Sequence, residues 1–162
     1  VFFRQYRYGK YLKLFRIYKF RTMENDAESR QEKNIENLEF KDPVIKSSGS
    51  DYITRLGVLL RRYSIDELPQ IVNIVLGQMS FVGPRPALYN QNDLIQLRTE
   101  IGIHKLKPGI TGWAQVNGRD ELSIEEKVQY DEEYLRRASM SFDIYIIWLT
   151  IIKVIKKDGI SH

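Results

Sequence analysis

The stretch RRYSIDELPQ, residues 61–70, places two arginines and a serine ahead of adjacent carboxylates and a proline. Ser64 and Glu67 have the S-x-x-E spacing of a capping box, in which the two side chains only begin a helix. Pro69 disfavours that start, because its ring and its missing N–H would then fall inside the helix. The stretch therefore raises a choice between a helix cap and a pair of carboxylates available for chemistry.

A later helix start fits the proline better. With Leu68 at the N-cap, Pro69 takes the first helical position, where proline is favoured. Asp66 and Glu67 would then lie just outside the helix, near its positive end, which favours their ionised form. Adjacent residues do not share a helix face, so one carboxylate can act as nucleophile or metal ligand while the other positions it or moves a proton.

Three arginines are candidates for binding an anion near this pair. Arg61 or Arg62 lies a few residues ahead of the pair, Arg85 lies between two prolines in the turn at residues 83–86, and Arg119 follows Asn117 and Gly118. A guanidinium binds phosphate oxygens in a bidentate manner, so these positions are typical of a phosphate site. Each arginine taken alone is more typical of an ordinary surface residue than of a binding site.

Residues 1–23 form a basic and aromatic arm. They hold seven basic side chains, no acidic one and eight aromatic rings, in a chain of net charge +4. Such interleaving suits a membrane interface or a nucleic acid. It also fits a twisted β-hairpin that turns at residues 8–10 and points its basic residues outward.

Composition limits the remaining chemistry. The chain has 162 residues, 43% of them hydrophobic, which suits one folded domain with a core. It has no cysteine and two histidines, which excludes disulfides, thiolate zinc and histidine-rich metal sites. A hard cation on carboxylates and phosphates remains possible.

Periodicity and turn signals predict an α+β fold, a helix-dominated single domain with a small β-hairpin or sheet. The predicted helices span residues 26–38, 53–62, 68–76, 87–100, 123–137 and 142–157, with a loop at 46–50 and a loop-and-strand region at 105–120. A capping box, Ser123 with Glu126, begins the fifth helix. The last helix is apolar on most of its surface and is too short to span a bilayer, so it is either a core helix or an interfacial amphipathic one. Trp148, Tyr145 and the lysines at its end favour the interface, so the predicted fold includes interfacial amphipathic helices.

Four blocks of the sequence carry a resemblance to a known family. They are VFFRQYRYGK with FRIYKFRTM, RRYSIDELPQIVNIVLGQMSFVGPRP, KPGITGWAQVNGRD and SIEEKVQYDEEYL. Their order and spacing resemble the bacterial sugar transferase family, the monotopic polyprenyl-phosphate phosphoglycosyl transferases. The resemblance runs from Val1 to about Lys157.

The resemblance implies an activity. Such enzymes move a phosphosugar from a UDP-sugar to a polyprenyl (undecaprenyl) phosphate and release UMP, which begins capsule, exopolysaccharide or glycoconjugate synthesis. It implies that Asp66 is the nucleophile of a covalent phosphosugar intermediate, that Glu67 assists, and that Mg²⁺ bridges both carboxylates and the diphosphate. It implies binding of the substrate phosphates or nucleotide by Arg61, Arg85, Arg119 and, more weakly, Asp131, which otherwise reads as part of a solvated helix face.

One departure from the family pattern concerns the start of the chain. Family members carry a hydrophobic re-entrant membrane helix upstream of the first block, and this sequence lacks it. We therefore interpret residues 1–162 as an N-terminally truncated catalytic domain that works at the cytoplasmic face of the bacterial inner membrane, without nucleic acid. The alternative function is a basic, non-enzymatic module that binds nucleic acid or a membrane surface.

Overall fold

The computed structural model describes residues 2–23, 53–88, 90–118 and 121–156. Within these ranges the chain is α+β, as predicted. The strands are β1 (Phe2–Tyr8), β2 (Leu14–Phe20), β3 (Ser80–Val82), β4 (Ala87–Leu88) and β5 (Gly109–Thr111). The helices are α1 (Arg55–Arg62), α2 (Ile71–Val75), α3 (Asn92–Ile101), α4 (Trp113–Asn117), α5 (Ile124–Arg137) and α6 (Met140–Lys156). Short 3-10 helices lie at Lys10–Leu12, Ile65–Gln70 and Ile103–Lys105.

The basic and aromatic arm is the predicted hairpin. β1 and β2 pair antiparallel, with Tyr6 opposite Arg16. The turn is longer than predicted, because Tyr11 and Leu12 adopt left-handed backbone conformations between the strands. The predicted helix at 26–38 and the predicted loop at 46–50 lie outside the described residues.

The two faces of the hairpin carry different residues. On the outer face, Arg16 stacks on the Tyr6 ring at 4.8 Å and Arg4 stacks on Tyr18 at 5.4 Å. Because side chains alternate along a strand, the register places six other residues together on the inner face. These are Phe3, Gln5, Arg7, Phe15, Ile17 and Lys19. The expectation that the basic residues point outward is therefore wrong for Arg7 and Lys19.

The start of the helix after the acidic pair differs from both sequence interpretations. Asp66 and Glu67 lie within the 3-10 helix Ile65–Gln70, and α2 begins only at Ile71. Ser64 makes no side-chain capping bond, so the capping box is absent, and Leu68 is not the N-cap. Pro69 is tolerated because it precedes α2 and removes no hydrogen bond from the interior of an α-helix.

Two further helix predictions were tested by the structure. The helix predicted at 87–100 is wrong at its start, because Ala87 and Leu88 form β4 on the free edge of β1 and the helix begins at Asn92. The predicted capping box is confirmed: Ser123 Oγ accepts from the Glu126 N–H at 3.2 Å, and Glu126 Oε2 accepts from the Ser123 N–H at 2.7 Å. In the predicted loop-and-strand region, Trp113–Asn117 is a short helix instead.

The sheets bring distant parts of the chain together. The first has the order β2-β1-β4, and the second is the parallel pair β3-β5. Parallel strands end at the same edge, so the turn at 83–86 lies beside Gly112, where a Cβ would come within 2.1 Å of the Gly83 carbonyl oxygen. The core cluster behind this edge comprises Val82, Val116, Tyr134, Phe142 and Ile146. Among the described residues, no helix is both long and apolar enough to cross a membrane.

Asn73 joins the hairpin to α2. It is fully buried, its Nδ2 donates to the Arg16 carbonyl and to Gln78 Oε1 at 2.8 Å each, and its Oδ1 accepts from the Tyr18 N–H at 3.3 Å. These bonds satisfy backbone groups of β2 that have no strand partner on that side. They hold β2, and therefore Lys19, against the segment that carries the acidic pair.

We expect Asn73→Ala to lower the free energy of unfolding by about 3 kcal/mol, because several buried polar groups lose their partners. Chemical denaturation measures this change. Gln96→Ala is the matched control, since it removes an exposed side-chain bond to Glu100 and should cost less than about 0.5 kcal/mol. Equal losses for the two variants would contradict the role given to Asn73.

Candidate active site

The acidic pair lies in a strained, inward-facing turn. Ser64, just ahead of it, has φ 53°, a left-handed conformation that costs a non-glycine residue about 1 kcal/mol. This turn directs both carboxylates inward, leaving Asp66 8% and Glu67 5% exposed. Backbone strain of this kind is common where a fold must present particular side chains.

Glu67 is held by two cations from different parts of the chain. Lys19 Nζ lies 2.8 Å and Arg85 Nη2 lies 3.1 Å from the same oxygen, Glu67 Oε1. Burial lowers the pKa of Lys19, while the Glu67 carboxylate opposes that shift. A buried carboxylate needs such partners, because desolvation would otherwise disfavour its charge.

Arg7 adds a third cation. Its Nη1 donates to the Pro86 carbonyl at 3.2 Å and its Nη2 donates to Gln5 Oε1 at 2.7 Å. Burial lowers the pKa of Arg7 to about 10; the positive charge of Arg85 acts in the same direction and Glu67 opposes it. The charge of the Arg7 guanidinium therefore interacts with the charges of Glu67 and Arg85.

The sequence did not predict Arg7 and Lys19 as residues of the site, although the pattern of β2 indicates a buried position for Lys19. In β2 the apolar residues Phe15 and Ile17 alternate with exposed ones, and Lys19 is the next position in that alternation. A lysine on the apolar side of a strand predicts a buried counter-charge.

Asp131 is not on a solvated helix face, so that interpretation is wrong. It is 1% exposed and pairs with Arg98, whose Nε and Nη2 lie 2.9 and 2.5 Å from Asp131 Oδ2. Burial raises the pKa of Asp131, and the Arg98 charge opposes that shift. Arg98 Nη1 also donates to the Arg85 carbonyl at 2.8 Å, which links this pair to the turn that carries Arg85.

The other two predicted arginines are placed differently. Arg61 Nε donates to Thr22 Oγ1 at 2.9 Å, so this side chain is directed to the end of β2. Arg119 lies outside the described residues. Binding of substrate by Arg61, Arg85, Arg119 or Asp131 stays a prediction.

The carboxylates suit Mg²⁺ in kind and number. This ion commonly uses one or two carboxylates, waters and the phosphates of its substrate. Within the described part of the chain no group of three or more His, Cys, Asp or Glu side chains is placed to hold a metal, so substrate oxygens would have to complete the shell. Binding of Mg²⁺ by Asp66 and Glu67 stays a prediction.

Glu67, with Asp66 beside it in the chain, and the cations Lys19 and Arg85 form one buried charged cluster. Comparison with known proteins gives the family. The family model described as bacterial sugar transferase matches residues 1–157. The chain therefore belongs to the bacterial sugar transferase family, and the resemblance drawn from its motifs is confirmed.

Individual relatives cover the chain almost completely. It is 43% identical over 164 residues to the "Uncharacterized sugar transferase EpsL" of Bacillus subtilis (strain 168), covering 100% of this chain and 73% of the relative. It is 42% identical over 163 residues to the "UDP-glucose:undecaprenyl-phosphate glucose-1-phosphate transferase" of Escherichia coli (strain K12). That match covers 94% of this chain but only 32% of the relative.

We expect Lys19→Met to destabilise the protein by about 2–3 kcal/mol, because it removes one partner from a buried carboxylate. The free energy of unfolding measures the loss, and Lys13→Met, at an exposed position of the hairpin turn, is the control. Adding Glu67→Gln to Lys19→Met should recover part of the stability, since the uncompensated charge is then gone. Strictly additive losses would contradict an ion pair that stabilises the site.

Proposed function

We propose that this protein transfers a phosphosugar from a UDP-sugar to a polyprenyl phosphate and releases UMP. The observation that carries the proposal is the adjacent carboxylate pair in which Glu67 is bound by Lys19 and Arg85. The name of the Escherichia coli relative, a UDP-glucose:undecaprenyl-phosphate glucose-1-phosphate transferase, supports the two substrates. A nucleic-acid-binding module would have no use for buried carboxylates at the centre of a cationic cluster.

The proposed reaction has two displacements at one phosphorus atom. In the first, an Asp66 carboxylate oxygen attacks the β-phosphorus of the UDP-sugar, and the bond between that phosphorus and the bridging oxygen breaks, so UMP leaves with the oxygen. In the second, a phosphate oxygen of the polyprenyl phosphate attacks the aspartyl-bound phosphorus. The Asp66 carboxylate is freed, and the lipid carries a diphosphate-linked sugar.

The assignment of roles follows the family resemblance, in which the first carboxylate of the pair, Asp66, is the nucleophile and Glu67 assists. The contacts of Glu67 support an assisting role, because its Oε1 accepts from two cations and these lower its nucleophilicity. When bound, Mg²⁺ would offset the repulsion between a carboxylate and a diphosphate and stabilise the leaving UMP. We assign binding of a substrate phosphate oxygen to Arg85, which contacts Glu67.

We expect Asp66→Asn to reduce UMP release on the order of a thousandfold or more, since an amide cannot form the acyl phosphate. The assay combines the protein, a panel of UDP-sugars, polyprenyl phosphate and Mg²⁺, and mass spectrometry tests for a phosphosugar adduct on Asp66. Asp93→Asn, at an exposed carboxylate on α3, is the matched control and should keep full activity. UMP release by Asp66→Asn at the parent rate would rule out this nucleophile.

The second part of the proposal places the site at the cytoplasmic face of the bacterial inner membrane. Large apolar side chains are exposed along the segment from α1 to α2: Leu56, Leu59, Leu68, Ile71, Val72, Val75 and Leu76. The acidic 3-10 helix lies within this segment, and its Leu68 is 52% exposed while the neighbouring carboxylates face inward. Docking of this apolar surface would bring the carboxylates to the depth of the lipid phosphates. α6 exposes a second apolar surface, which includes Ile144, Trp148, Ile151 and Ile155.

We expect Val75→Glu to weaken binding to anionic phospholipid vesicles about tenfold, because Val75 is 82% exposed on α2 and a carboxylate there opposes insertion. Vesicle co-sedimentation measures the affinity. Gln96→Glu, at an exposed site on α3, adds the same charge and should have a much smaller effect. Equal weakening would show that net charge, not apolar insertion at α2, governs binding.

A further inference from the structure

The turn that carries Arg85 is held by three donors from three parts of the chain. The Pro84 carbonyl accepts from the Gly109 N–H at 3.0 Å, the Arg85 carbonyl accepts from Arg98 Nη1 at 2.8 Å, and the Pro86 carbonyl accepts from Arg7 Nη1 at 3.2 Å. Two of the three residues are prolines, which have no N–H to donate. The hydrogen bonds to these carbonyls therefore fix the turn to its surroundings.

Arg98 is itself held in place. Its Nε and Nη2 both bind Asp131 Oδ2, and both side chains are buried. Each of the three guanidinium nitrogens thus has a partner, two on Asp131 and one on the Arg85 carbonyl. A lysine could keep the charge pair with Asp131, but its single ammonium has no comparable fork to reach the carbonyl as well.

We propose that Arg98, held by Asp131, and Arg7 are positioning residues that fix the Arg85 backbone so that its guanidinium meets Glu67. The fixed backbone leaves only the Arg85 side chain to be ordered, which reduces the entropy lost when it binds Glu67 and substrate. Asp131 then acts through Arg98 and not by contact with substrate, which differs from the role that the family resemblance implied for it. For its effect on activity, the inference rests on the proposed function.

The first test is structural and needs no turnover. We expect a crystal structure of the Arg98→Lys variant to show Arg85 Nη2 moved from 3.1 Å to beyond about 4 Å from Glu67 Oε1, the limit of an ion pair. Arg136→Lys, in the exposed pair with Glu132 on α5, is the matched control and should leave that contact unchanged. Arg7→Lys tests the other arm if Arg98→Lys does not fold. Retention of the Arg85–Glu67 contact in the variant that folds overturns the inference.

The second test is kinetic and uses a double-mutant cycle. We expect Arg98→Lys alone to lower kcat/KM for UMP release about tenfold, and to have no further effect in the Arg85→Ala background, because it acts through Arg85. Additive losses, or full activity of Arg98→Lys, overturn a positioning role. If the parent protein releases no UMP, the proposed function fails. The structural test still decides whether Arg98 and Arg7 hold Arg85 in contact with Glu67.

Discussion

The burial of the Glu67 carboxylate is the constraint on which the rest of this site depends. A carboxylate withdrawn from water is stable only with charged partners, and here Lys19 comes from β2 and Arg85 from the turn after β3. β2, the turn after β3 and the 3-10 helix must therefore lie close together around Glu67 Oε1. Asn73 holds the first of these partners in place from α2, and Arg98 supports the second from α3. The buried hydrogen bonds of Asn73 and Arg98 thus help to hold the partners of the Glu67 carboxylate.

The two adjacent carboxylates act on the same buried cation. The charge of Glu67 and the charge of Asp66 both oppose the lowering of the Lys19 pKa that burial causes. The sequence made the carboxylate pair conspicuous but could not identify this cation, because Lys19 is distant along the chain.

The sequence predicted features that local patterns encode. The content of aromatic and β-branched residues predicted the hairpin, and the Ser123 capping box predicted the start of α5, because both depend on neighbours within a few residues. β4 was missed because its partner is β1, far away along the chain, and a proline ahead of it favoured a helix start. The Arg98–Asp131 pair was missed because two charged residues on separate helices show no pattern until the helices pack.

β2 and α1 are joined directly, although residues 24–52 separate them along the chain. Met23 and Ile53 form an antiparallel bridge, and the Thr22 carbonyl accepts from the Thr54 N–H at 2.9 Å. These bonds tie β2, which carries Lys19, to the start of α1, which leads into the acidic pair. The two members of the Lys19–Glu67 ion pair are therefore connected through neighbouring backbone as well as through their side chains.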